Sequence, residues 1–151
     1  MARRALREIP ASHTDILDAK CFAHVATLRP DGRISNHPVC LIWDGGPVRF
    51  STTKGRRKYR NLQADPRIAI SVTDPANPWR YLEIRGRAEL ADDTDRSFIN
   101  QVARKYMGQD VYPFDRPGDE RVIVTVHVEQ VSVAHVHAST GDGQPPAEWT
   151  R

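Results

Sequence analysis

The sequence predicts a mainly β protein, a small antiparallel barrel of six strands with helices inserted at two points. Three observations carry that expectation. Apolar and polar residues alternate over several short stretches, the period of a half-buried strand. Tight-turn sequences, RPDGR at 29–33 and DGGP at 44–47, join consecutive stretches as hairpins. Two longer segments of helical character, ending near residues 64 and 107, interrupt the series.

Each element follows in order. Ser12 or Thr14 can cap a short first helix through Ala19. Residues 22–28 alternate as the first strand, and Asp31-Gly32 centres the turn after it. Residues 34–43 read as the second strand. Val39, Leu41 and Trp43 share one face, Pro38, Cys40 and Ile42 the other, so cover on both sides is expected. Residues 48–53 form the third strand and lead into a basic helix ended by Asp65-Pro66. Residues 68–73 are the fourth strand, and DPANP at 74–78 is a loop. Residues 81–90 are the fifth. Leu82, Ile84, Ala88 and Leu90 point one way; Tyr81, Glu83, Arg85, Arg87 and Glu89 point the other, as an ionic ladder on an outer face. Gly86 marks a bend or bulge. An amphipathic helix begins at 92–95 and runs to Met107, with Phe98, Val102 and Tyr106 at helical spacing. A Pro/Gly-rich loop spans 111–120. The last strand, 121–136, slips phase at Glu129-Gln130, between Val122, Val124, Val126, Val128 and the later Val131 and Val133, which predicts a bulge. Residues 1–137 form one domain, and the polar tail at 138–151 is expected to be mobile.

A chain of 151 residues with 39% hydrophobic content fits a single soluble domain. Its apolar runs are too short for a membrane span, and its N-terminus lacks the apolar core of a secretory signal. A cytoplasmic protein is expected. Cys21 and Cys40 lie in apolar strand-like runs without CxxC spacing, which argues against a disulfide framework or a zinc site. With its doubly apolar second strand, so short a chain has surface left to cover, and a homodimer is expected.

The net charge is only +3, and the positive excess is concentrated in STTKGRRKYRNL at 51–62. Lys54, Arg56, Arg57, Lys58 and Arg60 occur there with no acid among them, where a strand runs into a helix. A helix N-terminus already carries free N–H groups and partial positive charge, so a cation cluster there is costly unless an anion sits on it. The pattern reads as a phosphate or polycarboxylate site. A solvated basic face or a nucleic-acid patch are the alternatives. The local character of the charge, with only Tyr59 as a nearby aromatic, favours one anionic ligand over nucleic acid. Lys58 is expected to be exposed in the absence of that ligand.

Taken together, VATLRPDGRISNHPV, STTKGRRKYRNL, DPRIAISV and RYLEIRGRAEL resemble the flavin-binding split β-barrels related to pyridoxamine 5'-phosphate oxidase, over residues 22–136. Lys58, Arg60, Asn61 and Leu62 after a Ser-containing strand, with Trp79 before GRAEL, are most similar to the members that use the deazaflavin coenzyme F420. The resemblance implies a split-barrel homodimer with two cofactor sites in grooves at the interface. It implies that Ser51, Thr52 and Thr53 face the cofactor, that Arg56, Arg57 and Lys58 hold its phosphate and nearby carboxylates, and that Ser35, Pro38 and Val39 line the ring site. Trp79 and Arg121 would reach the pocket, from the partner chain or from the same one. Ile34, where many relatives have proline, and Pro38 depart from the family pattern. FMN is the alternative cofactor. F420 carries a phosphodiester and a polyglutamate tail, and Lys54 and Arg57 extend the cluster beyond what one phosphate needs.

The expected function is therefore F420-dependent oxidoreduction, a hydride passing between the reduced deazaflavin and a small conjugated substrate. The alternatives are an FMN-dependent enzyme of the same fold, or a non-enzymatic cofactor carrier or nucleic-acid-binding barrel. No nucleophile arrangement is visible, in keeping with chemistry that belongs to a cofactor. His24 and His37 are candidates for proton donation or plain strand histidines. His135 and His137 share a strand face but lack a third metal ligand. Trp79 suits either ring stacking or core cover. Arg121 is either a surface arginine or a cofactor contact.

Overall fold

The structure is a computed structural model and describes residues 6–133. A 3-10 turn, Ala11–His13, leads into α1 (Thr14–Asp18). The strands are β1 (Phe22–Leu28), β2 (Ile34–Cys40), β3 (Ile42–Trp43), β4 (Val48–Thr53), β5 (Arg67–Asp74), β6 (Asn77–Asp92) and β7 (Arg121–Val133). Between them stand α2 (Arg57–Ala64) and α3 (Ser97–Met107). All strand pairs are antiparallel, in the order β2-β1-β5-β6-β7-β4-β3. The sheet curls into the half-barrel that the sequence predicts. Its inner face is apolar, with Val25, Phe50, Ile70, Leu82, Ile84 and Val124 wholly buried. A second cluster joins α3, through Phe98, Ile99 and Val102, to Ile42 and Ile123 on the opposite face.

The sheet has seven strands rather than six because the 34–43 stretch breaks at Leu41. The Leu41 amide donates to the Tyr106 hydroxyl at 3.0 Å, and its carbonyl accepts from that hydroxyl at 2.8 Å and from Lys105 Nζ at 3.2 Å. Helix α3 thus takes the backbone groups a ladder would need, and the chain changes partner from β1 to β4. The break also explains the two apolar faces. Val39 and Leu41 face the main core and Ile42 faces α3, whereas Ile34, Asn36 and Pro38 are exposed.

Three further expectations change. Strand β6 begins at Asn77, so Trp79 is a strand residue and not a loop residue. Asp92 to Asp95 precede α3 rather than open it. There the buried Asp93 accepts from the amides of Phe98 and Ile99, at 3.1 and 2.9 Å. The ionic ladder is only partial: Glu89 reaches His127 of β7 at 2.7 Å, but the register sets Arg87 opposite Arg67 and His127, and Arg85 opposite Ala69 and Gln130. Arg85 pairs along its own strand with Glu83. The predicted bulge is present: Arg85 faces Gln130 but Gly86 faces Val128, leaving Glu129 as the extra residue. Glycine is required at 86, where a Cβ would stand 2.1 Å from the His127 carbonyl oxygen. Among the described residues no helix is long and apolar enough to cross a membrane. His135 and His137 lie outside the described residues.

Candidate anion-binding site

Strand β4 delivers the basic segment. Val48, Phe50 and Thr52 point into the barrel, while Arg49, Ser51 and Thr53 point outward. Alternation therefore divides the predicted trio Ser51, Thr52, Thr53 between two environments.

On the inner side, α2 closes one end of the barrel. Its cap residue Arg56 has extended backbone and makes no side-chain capping bond, and the first turn carries no acid. Lys58 and Asn61, one turn apart, turn inward together and are both buried. Asn61 Nδ2 donates to Thr27 Oγ1 of β1 at 3.0 Å. Thr27 faces Ser35 of β2, and two residues along the same face His37 lies opposite Val25, followed by Val39 opposite Ala23. Lys58, Asn61, Thr52, His37, Ser35 and Val39 thus converge where α2, β1, β2 and β4 meet.

This convergence is electrically incomplete. Lys58 is only 9% exposed, not the exposed side chain expected, and no carboxylate among the described residues pairs with it. Burial pushes its ammonium pKa down, and the Arg56 charge adds to that effect. Three side-chain atoms on the elements that meet here are buried without partners among the described residues: His37 Nδ1, Thr52 Oγ1 and Asn61 Oδ1. Buried polar groups are ordinarily paired, and buried charges neutralised. An anion brought to Lys58, the Thr52 hydroxyl and the uncapped first turn of α2 would remove most of the deficit. Asn61 Oδ1, an acceptor, requires a donor instead. Arg56, Arg57 and Arg60 stand exposed around this point, with no ion pair among the described residues.

On the outer side the cations are already matched. Arg121 donates to Asp115 from Nε at 2.9 Å and from Nη2 at 2.5 Å, and to Ser51 Oγ at 3.3 Å. Its guanidinium lies 4.7 Å from the centre of the Tyr112 ring. Asp115, whose side chain is 5% exposed, also binds Arg96. Lys54 is held by Asp92 at 3.1 Å and Glu120 at 3.6 Å. Thr53 pairs with Arg121 across the ladder.

The remaining predicted residues stand apart. Pro38 is exposed on the opposite face of β2 from Ser35 and Val39, opposite His24, which is exposed too. Trp79 is half-buried near the start of β6. The row Thr27, Ile68 and Gly86, which Asn61 anchors to α2, crosses β6 seven residues further on. At about 3.3 Å per residue that is roughly 23 Å, too far for Trp79 to meet Lys58 within one chain. His37 had no claim stronger than that of His24 in the sequence. The signal that separates them is register: one residue faces α2 and the other solvent.

A half-barrel sheet with a cationic pocket at one helix end, unpaired among the described residues, is an arrangement suited to an anionic group. The pyridoxamine 5'-phosphate oxidase family model matches residues 9–135, and the chain belongs to that family. Among solved structures it is similar to an F420 reductase, at 37% identity over 82% of this chain and 98% of that one, with a TM-score of 0.73. It shares its fold with a conserved hypothetical protein from Mycobacterium tuberculosis (20% identity, 88% and 89% covered, TM-score 0.67). The same holds for a pyridoxamine 5'-phosphate oxidase-related, FMN binding protein from Nostoc punctiforme (17%, 86% and 86%, 0.60). No protein of curated function matches the sequence.

Proposed function

We propose that the protein is an F420-dependent oxidoreductase acting on small conjugated substrates. The observation that carries this reading is the buried, unpaired Lys58 beneath exposed Arg56 and Arg57. Lys58 and the first turn of α2 hold the cofactor phosphate, and Arg56, Arg57 and Arg60 meet the carboxylates of its tail. The likeness to an F420 reductase supports F420 over FMN. The chemistry such a cofactor supplies is hydride transfer to an electron-poor acceptor; the chain binds, orients and excludes water.

A second copy of the chain belongs in this reading. Phe22, Ile34 and Tyr81 are exposed apolar residues on the outer sheet face, 65%, 70% and 40% accessible. Of these, Ile34 lines a shallow groove of about 410 Å³ over Ala26 and Ala69. In this reading the Trp79 that reaches the site belongs to the second copy, because this chain's Trp79 cannot meet it. Fluorescence titrations with F420 and FMN, a labelled oligonucleotide as control, and light scattering test the whole. Submicromolar F420 binding by a dimer is expected. Tight FMN binding with weak F420 binding replaces the cofactor assignment, oligonucleotide binding alone replaces the function, and a monomer at micromolar concentration removes the shared pocket.

A further inference from the structure

We propose that His37 is a ligand of the anion held by Lys58, donating a hydrogen bond from Nδ1. This rests on the proposed reading of the site as a cofactor phosphate pocket. The position of His37 is fixed by the ladder, between Ser35 and Val39 on the inner face of β2. Its Nδ1 is out of contact with solvent and has no partner among the described residues. A neutral imidazole with its proton on Nδ1 is a donor there, and a donor buried with nothing to accept from it is rare in a native fold. Lys58 has the complementary defect, a buried charge without a counterion among the described residues. One anionic oxygen resolves both, since it can accept from Nζ and Nδ1 together.

The surroundings explain why no protein group fills this role. On the face that His37 shares, β1 presents Val25 and Thr27; Thr52 of β4 faces the same interior, and α2 and its cap bring Lys58 and Arg56. The charges acting on the ring are those of Lys58 and Arg56, both positive, and no carboxylate offsets them. Burial first, then those two cations, keep the ring neutral. A neutral ring adds no further repulsion to the cluster while still offering a directed N–H. Thr52 can also donate, but its hydroxyl rotates, whereas Nδ1 is aimed by the ring plane.

The test uses the whole protein with F420 as the probe, whose phosphodiester does not titrate near neutrality. His37→Phe is expected to weaken F420 binding roughly tenfold, the worth of one charge-assisted hydrogen bond. His37→Asn, which places an amide N–H near the Nδ1 position, is expected to stay within about threefold of wild type. Long-range 1H–15N spectra of the wild type should show the His37 Nδ1 signal moving on saturation with F420, a readout independent of any variant's folding. An unmoved Nδ1 signal, or wild-type affinity in His37→Phe while Lys58→Ala binds weakly, overturns the role of His37 alone. A wild type that binds neither F420 nor FMN overturns the pocket and the role of His37 with it.

Discussion

Ser51, Thr52 and Thr53 are consecutive, yet they open onto two unlike environments. On the outer side Arg121, Arg96 and Lys54 have carboxylates within ion-pair distance, an aromatic face or a hydroxyl to bind. On the inner side Lys58 has none among the described residues, and His37 and Thr52 hold atoms unpaired among them. Both regions are basic in sequence, and among the described residues only the inner one is left unneutralised. A cation matched inside its own protein contributes to stability; one left unmatched against burial costs stability and is available for a ligand. The outer network braces the loop at 108–120, whereas the inner cluster finds no partner among the described residues.

Asp115→Ala attacks the matched side and should have the largest effect. It strands two arginines, one of them 12% exposed, and is expected to cost about 3 kcal/mol in denaturant unfolding. F420 affinity should change less than twofold. A large affinity change would mean that Arg121 is a cofactor contact held in reserve, and the contrast between the two sides would fail.

Lys58→Met attacks the unmatched side and should act in the reverse sense. Cofactor binding is expected to weaken by about 1–3 kcal/mol, the cost of a lost charge-assisted hydrogen bond. Stability should hold or rise, because an uncompensated buried charge is removed. The sign with pH follows from the lowered pKa of Lys58. Between that folded value and the ordinary lysine value the unfolded chain binds more protons. This side chain therefore makes stability rise with pH across that alkaline window. Wild-type affinity should fall over the same window as the ammonium loses its proton. Thermal melts and titrations at stepped alkaline pH check both, and Lys58→Met should flatten each curve.

Much of this contrast was legible in the sequence, and the part that was not has a definite cause. Period-two alternation, the DG and GG turns and the phase slip at Glu129-Gln130 placed the sheet and its bulge. The run from Lys54 to Arg60 marked the segment that carries the unpaired cations. Composition alone could not say which cations were spent. Asp92 and Glu120 lie 38 and 66 positions from Lys54, and Asp115 lies 6 from Arg121 and 19 from Arg96; only the folded register brings Asp92 and Glu120 to Lys54. Lys58 looked like its exposed neighbours because burial on a short helix depends on what it covers. Leu41 read as mid-strand because the hydroxyl that takes its amide is supplied from 65 residues away.

The smallest expected effect separates free cations from paired ones on the rim. Exposed charges act over about 8 Å at physiological ionic strength. F420 affinity should fall as salt rises, and the double change Arg57→Ala, Arg60→Ala should flatten that slope. Lys54→Ala should change it little, because Asp92 and Glu120 already offset that charge. This revises the simple expectation that Lys54 serves the tail. Titrations across a salt series decide it, and a Lys54→Ala slope as flat as the double variant's would return Lys54 to the rim.

Leu41 gives the molecule a built-in reporter. Its amide is protected by a tyrosine hydroxyl on α3 and not by a neighbouring strand. Deuterium should therefore enter at Leu41 whenever α3 lifts away, while the amides of β1 and β5 stay closed until the sheet itself opens. The exchange rate at this one position would measure the undocking of the outer helix from an intact barrel.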